Sequence, residues 1–86
     1  MNEIRDDIAD LQQRQNSIKF AELAKVCVRW FGPPRINGSS HHVYRMPWPG
    51  DPRINIQRGN NGTAKAYQVK QVIAALARME EEHGKA

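Results

Sequence analysis

The spacing of apolar residues changes twice along this chain, from a helical period to a period of two and back again. In residues 17–32 apolar side chains recur every three to four positions, which predicts an amphipathic helix. Ser17 is placed to cap its start, and Gly32 with the two prolines after it ends it. Residues 64–82 return to the helical spacing, and Thr63 is the expected cap of this second helix.

Residues 35–58 alternate between apolar and polar side chains, which predicts short strands. The expected strands cover residues 35–36, 41–46 and 53–58, with a hairpin turn at the Asn-Gly pair and a proline-rich turn between the second and third. An order of helix, three antiparallel strands and helix predicts an α+β domain. Both helices would pack on one face of the sheet and leave the other face open.

The N-terminal segment, residues 1–16, has helical spacing but few apolar residues, so we interpret it as a helical extension. The domain proper then covers residues 17–82, and residues 83–86 form a tail. A chain of 86 residues buries only a small core. We therefore expect a functional site to be a surface groove or patch.

The charge balance favours a polyanionic partner. The chain has 13 Lys and Arg against 9 Asp and Glu, a formal net charge of +4, and most of the excess lies in residues 17–58. Cys27 is the single cysteine, which excludes an internal disulfide and a cysteine-based zinc site. No apolar run is long enough to span a membrane and no signal-peptide pattern follows Met1, so we expect a cytoplasmic protein without a membrane association.

Two adjacent histidines, His41 and His42, open the second predicted strand. Neighbouring strand residues point to opposite faces, so the pair cannot bind one metal ion together, and no suitable carboxylate or cysteine lies nearby. We therefore expect no metal and no other cofactor. A histidine at a strand end is often only a half-buried polar residue, but its imidazole can also move a proton at a phosphodiester.

Strand alternation assigns the two histidines to different faces. His41 shares one side with Val43 and Arg45, whereas His42 shares the more apolar side with Tyr44. The apolar side is expected to face the helices, which leaves His41 pointing outward.

Basic residues that could accompany such a histidine on RNA are Arg45, Arg53, Arg58 and Lys65. Lys65 falls in the first turn of the last helix, where free N–H groups and the helix dipole also favour phosphate. The alternative for each is an ordinary solvated residue. Trp48 could stack on a base or anchor a partner, but a tryptophan in a proline-rich turn more often packs over its own hairpin. We expect Trp30 in the core.

Residues 17–82 resemble the HicA-type toxins of bacterial toxin–antitoxin pairs, also described under the YcfA name. The most specific element is a Gly-Ser-His motif before a strand that carries an aromatic residue three places after the histidine. Counting back from Tyr44 makes His41 the motif histidine and Ser40 the motif serine. Ser39 stands where the family has glycine.

The resemblance implies a fold like the double-stranded-RNA-binding domain and a ribonuclease that cleaves messenger RNA to arrest growth. It implies that the motif histidine is essential, that no metal is required, and that a HicB-type antitoxin protein masks the histidine. His41 is then the expected catalytic base, with Ser40 added to the RNA-binding set.

Two other functions fit the same residues. A non-catalytic module that binds double-stranded RNA needs the basic open face but not the histidine. A protein-interaction domain needs only an acidic partner for its basic surface.

Overall fold

The computed structural model describes residues 3–37, 41–49, 54–58 and 62–84, with the backbone alone for Asn37, His83 and Gly84. Its elements in chain order are α1 (Ile4–Gln13), α2 (Phe20–Phe31), β1 (Arg35–Asn37), β2 (His41–Tyr44), β3 (Ile54–Gln57) and α3 (Ala66–Gly84). The three strands form one antiparallel sheet in the order β1-β2-β3. The predicted α+β class is confirmed.

The predicted alternation of the strands is confirmed by burial. Ile54 and Ile56 of β3 are buried with Tyr44 of β2, while Asn55 and His41 are exposed on the opposite face. The strand β2 is shorter than the expected 41–46 and ends at Tyr44. Pro47 follows three residues later, and it restricts the residue before it and lacks the N–H that a ladder needs.

One core joins the inward face of the sheet to all three helices. Its fully buried side chains are Leu11, Ile18, Leu23, Cys27, Ile54, Ile56, Val69, Val72 and Leu76. Most of the positions expected from helical spacing are buried in this core, while Trp30 and Ile73 are only partly buried against it. The opposite face carries no buried side chain among the described residues.

The N-terminal segment belongs to this core, although its sequence suggests only an extension. α1 packs along α3, and Leu11 is fully buried. The buried Asp7 carboxylate accepts hydrogen bonds of 2.7 Å from Arg29 Nη1 and from Trp30 Nε1. A buried carboxylate is stable only when it is hydrogen-bonded or paired, and these two donors of α2 satisfy it.

Both helix-cap predictions are wrong. α2 begins after Lys19, two residues beyond Ser17, and no side chain caps it. Thr63 pairs with Lys19 in an isolated β-bridge, and α3 begins only after Lys65. Residues 63 and 64 pair with the segment at the start of α2. Thr63 therefore takes part in chain pairing, and Lys65 precedes the first turn of α3.

Candidate nucleic-acid interface

His41 is the first residue of β2 and lies exposed on the open face of the sheet. Its neighbours across the strands are Asn37 in β1 and Gln57 in β3. The alternation that buries Tyr44 three residues later turns the imidazole of His41 away from the helices. This side chain is therefore accessible to a large substrate at one end of the sheet.

His42 points the other way, into the space between the sheet and α2. Its ring contacts the ring of Phe20 edge to face, with centroids 5.0 Å apart and an interplanar angle of 89°. Its Nδ1 is buried, and no hydrogen-bond partner for it is found in the described part of the chain. These contacts make His42 a packing residue, as its expected inward orientation requires.

The end of the sheet that holds His41 also holds two of the predicted RNA-binding cations. Gln57, directly across from His41, is followed by Arg58. Arg58 pairs with Ala64 in an isolated bridge, and Lys65 comes next in the chain. The backbones of His41, Arg58 and Lys65 thus lie at one corner of the domain, with the Arg58 guanidinium on the helix side of the sheet and His41 on the open side.

Arg58 is held in place by an aromatic ring. Its guanidinium lies over the ring of Phe20, with Cζ 5.5 Å from the centroid, and this is a favourable cation–π geometry. The same ring contacts His42 on its edge. No ion pair of Arg58 or Lys65 with a carboxylate is found among the described residues.

Arg45 is not part of this corner. It lies four residues beyond His41 along the chain, a separation of about 13 Å in extended backbone. There it lines an open groove with Trp30, Phe31, Met46, Pro47 and Met79. Ser40 and Arg53 lie outside the described residues.

Ion pairing differs between the helices and the corner that holds His41. Every acidic residue that the structure describes lies in or next to a helix: Glu3, Asp6, Asp7, Asp10, Glu22, Glu80, Glu81 and Glu82. The ion pairs lie there too, as in Arg14 with Asp10 and Glu22, both at 2.8 Å, and the hydrogen bond from Arg14 lowers the pKa of the Glu22 carboxyl. Several helix arginines are therefore paired with carboxylates, whereas Arg58 and Lys65 have no such pair among the described residues.

Sequence reasoning missed one residue at this corner, Tyr67. It is the second residue of α3, and its side chain is 57% exposed. The next residue, Gln68, is buried, and it accepts a 2.9 Å hydrogen bond from the Gln57 backbone N–H. The signal was present in the sequence, because Tyr67 lies outside the apolar stripe of α3 that begins at Val69.

Cys27 and Tyr44 are withdrawn into the core. Burial raises the pKa of the Cys27 thiol to about 12. It also raises the pKa of the Tyr44 hydroxyl, and the neighbouring Cys27 adds to that shift. Within the described residues no group of three or more His, Cys, Asp or Glu side chains is placed to hold a metal ion. The imidazole of His41 is exposed at this corner, as is the side chain of Tyr67.

No family model, curated protein or solved structure matches this chain. No helix in the described ranges is both long and apolar enough to cross a membrane. The chemistry of the corner around His41 is therefore what bears on function.

The two tryptophans are structural. Trp48 is 7% exposed, and the guanidinium of Arg78 lies 4.5 Å from the centroid of its ring. Trp30 is half-buried against the core and donates its indole N–H to Asp7. Trp48 is therefore buried, as a structural role requires, with Arg78 of α3 against its ring instead of an RNA base.

Proposed function

We propose that this protein is the toxin of a type II toxin–antitoxin pair, a metal-independent endoribonuclease that cleaves messenger RNA in the cytoplasm. The observation that carries the proposal is the exposed His41 at the end of the sheet that also carries Arg58 and Lys65, two cations for which no carboxylate partner is found among the described residues. A HicB-type antitoxin protein is the proposed partner, and it would inhibit the enzyme by covering this corner.

RNA supplies a nucleophile of its own, the ribose 2′-hydroxyl. As general base, His41 takes the proton of that hydroxyl, whose oxygen then attacks the adjacent phosphorus. The bond from phosphorus to the 5′-oxygen of the next nucleotide breaks, and the leaving oxygen takes up a proton. The products are a 2′,3′-cyclic phosphate and a 5′-hydroxyl. Arg58 and Lys65 would stabilise the negative charge on the phosphate oxygens in the transition state.

The architecture supports a more specific fold within the α+β class. The order α2, three antiparallel strands and α3, with both helices on one face, is the order proposed for a domain like the double-stranded-RNA-binding domain. In this proposal α1 is an added element, tied to α2 through Asp7. The open face, with His41 at one end, is the face left for RNA.

The direct test is cleavage of a messenger RNA transcript by the purified protein in excess EDTA. The expected result is cleavage by the wild type, loss of cleavage in His41→Ala, and resistance of the same sequence made as DNA, which lacks the 2′-hydroxyl. Cleavage that stops in EDTA and returns with a divalent ion would overturn the metal-free mechanism. RNA binding without cleavage would favour the non-catalytic RNA-binding module, and absence of RNA binding would favour a protein-interaction domain.

The biological part of the proposal is tested in a bacterial host. Induction of the chain alone is expected to arrest growth and deplete messenger RNA, and co-expression of the product of the neighbouring gene is expected to reverse both. The His41→Ala variant is the matched control. Normal growth with folded wild-type protein present would contradict the toxin function.

A further inference from the structure

Tyr67 presents an aromatic ring to solvent at the corner that holds His41. With 57% of its surface exposed, it is one of three exposed large apolar side chains in the described chain, with Val28 and Ile36. Those two lie on α2 and β1, whereas Tyr67 lies two residues after Lys65. No ring of another described residue covers it.

The ring is fixed by a buried amide. Gln68 is 4% exposed, and its Nε2 donates a 3.3 Å hydrogen bond to the hydroxyl of Tyr67. The Oε1 of the same amide accepts the 2.9 Å bond from the Gln57 N–H. Gln57 is the residue across from His41, so one buried side chain connects Tyr67 to the strand position opposite the histidine.

This connection places Tyr67 beside the strand position opposite His41. Gln57 lies one interstrand spacing, about 5 Å, from His41, and its backbone N–H reaches the Gln68 amide next to Tyr67. Arg58 follows Gln57 and pairs with Ala64, the residue before Lys65. An RNA chain bound at His41 that crosses the β3 edge of the sheet can therefore reach the two cations and Tyr67.

We propose that Tyr67 is the stacking platform for an unpaired nucleobase and that the histidine site acts on single-stranded RNA. This inference rests on the proposed ribonuclease function. Every base offers a π-face, so stacking on an aromatic residue beside a basic path selects single strands with little preference for sequence. In a duplex the bases are already stacked on one another, and proteins contact mainly phosphates and 2′-hydroxyls.

The test measures RNA affinity in a His41→Ala background, where the proposed cleavage is absent. The probes are a single-stranded RNA of about 12 nucleotides, within the usual site size of such proteins, and the same strand annealed to its complement. Tyr67→Leu keeps an apolar side chain but removes the ring, and Tyr67→Phe keeps the ring but loses the bond to Gln68. Val28→Leu is the matched control at an exposed apolar position on α2, away from the corner.

The single strand is expected to bind more tightly than the duplex. Tyr67→Leu should weaken binding of the single strand roughly 5- to 150-fold, the effect of losing one stacked base, Tyr67→Phe should weaken it less because the ring remains, and Val28→Leu should stay close to the parent. A fluorescent 2-aminopurine in the strand should be quenched on binding to the parent and not to Tyr67→Leu.

Two results would overturn the inference. One is unchanged single-strand affinity in Tyr67→Leu, and the other is a duplex bound as tightly as the single strand; if the wild type still cleaves RNA, the proposed function survives either result. Absence of both RNA binding and RNA cleavage in the wild type would overturn the proposed function as well. Thermal melting of each variant separates a loss of binding from a loss of folding.

Discussion

His41 and His42 are adjacent in the chain, yet their imidazoles lie on opposite faces of the sheet. His41 is exposed at the end of the open face, while the ring of His42 packs 5.0 Å from that of Phe20. The two histidines therefore occupy different environments: His41 is exposed to solvent, and His42 packs against an aromatic ring. Their alanine variants form an internally matched pair.

The first prediction concerns that pair. His41→Ala should lower the rate of RNA cleavage about 100- to 10,000-fold, the usual contribution of a positioned general base, with little change in melting temperature because the side chain is exposed. His42→Ala should lower the free energy of unfolding by about 0.5–3 kcal/mol because it removes the ring that contacts Phe20. The folded fraction of that variant should still cleave. Single-turnover cleavage and thermal melting measure both effects.

The reverse pattern has a definite meaning. If His42→Ala is folded but inactive while His41→Ala cleaves normally, the motif histidine has been assigned one position too early. The resemblance to the HicA motif would then have to be shifted by one residue, and the outward orientation of His41 would carry no catalytic role.

The second prediction concerns the two cations beside His41. Contacts to phosphate release counterions, so each contact adds about 0.7 to the slope of log affinity against log salt for a single strand. Arg58→Ala and Lys65→Ala should each reduce the steepness of that slope by roughly this amount. The matched control is Arg5→Ala, which removes the same charge from an exposed pair with Glu80 on the helices. Equal slopes of log affinity against log salt in all three variants would mean that RNA binds at a different part of the surface.

Local periodicity predicted the parts of the fold that depend on neighbouring residues. Alternation placed Ile54 and Ile56 in the core and turned His41 outward, because both results follow from the period of a strand. The position of Arg58 and Lys65 beside His41 was not predictable from spacing. It depends on the bridge between Arg58 and Ala64, which joins segments that do not share an element of secondary structure.

The role of α1 was missed for a related reason. Asp7 reads as a solvated residue in a weakly amphipathic helix, and only its two donors on α2, more than 20 residues away, make its burial stable. The exposure of Tyr67 follows from the spacing of α3, but its placement beside β3 depends on Gln68, whose partner is the backbone of β3. Hydrogen bonds between distant segments leave no periodic signal in the sequence.

The third prediction tests the integration of α1. Asp7→Ala leaves the indole N–H of Trp30 and the guanidinium of Arg29 without their acceptor, so we expect a loss of about 1–3 kcal/mol in the free energy of unfolding. The control is Asp10→Ala, which removes an exposed ion pair with Arg14 and should cost less than about 1 kcal/mol. Urea denaturation measures both. Equal small effects would mean that α1 contributes little to the stability of the domain.

The last prediction follows from the fully buried thiol of Cys27. Burial raises its pKa from the ordinary value of 9.0 to about 12. Between these two pH values the unfolded thiol has lost its proton while the folded thiol keeps it. The unfolded state then binds fewer protons than the folded state, so the free energy of unfolding must fall as the pH rises through this window. The raised pKa of Tyr44 acts in the same direction.

The comparison that isolates the thiol is wild type against Cys27→Ala, unfolded in urea at a series of pH values from below 9 toward 12. The variant is expected to be less stable at neutral pH, because it leaves a small cavity, but to lose less stability on alkalinisation, since only the contribution of Tyr44 remains. The difference in the free energy of unfolding between wild type and variant should therefore become smaller as the pH rises. In the native wild type a thiol reagent should react slowly at pH values below 9 and rapidly once urea is added. If this difference in the free energy of unfolding stays constant between pH 9 and 12, and the reagent labels the native protein fast, Cys27 is accessible to solvent and is not buried in the core.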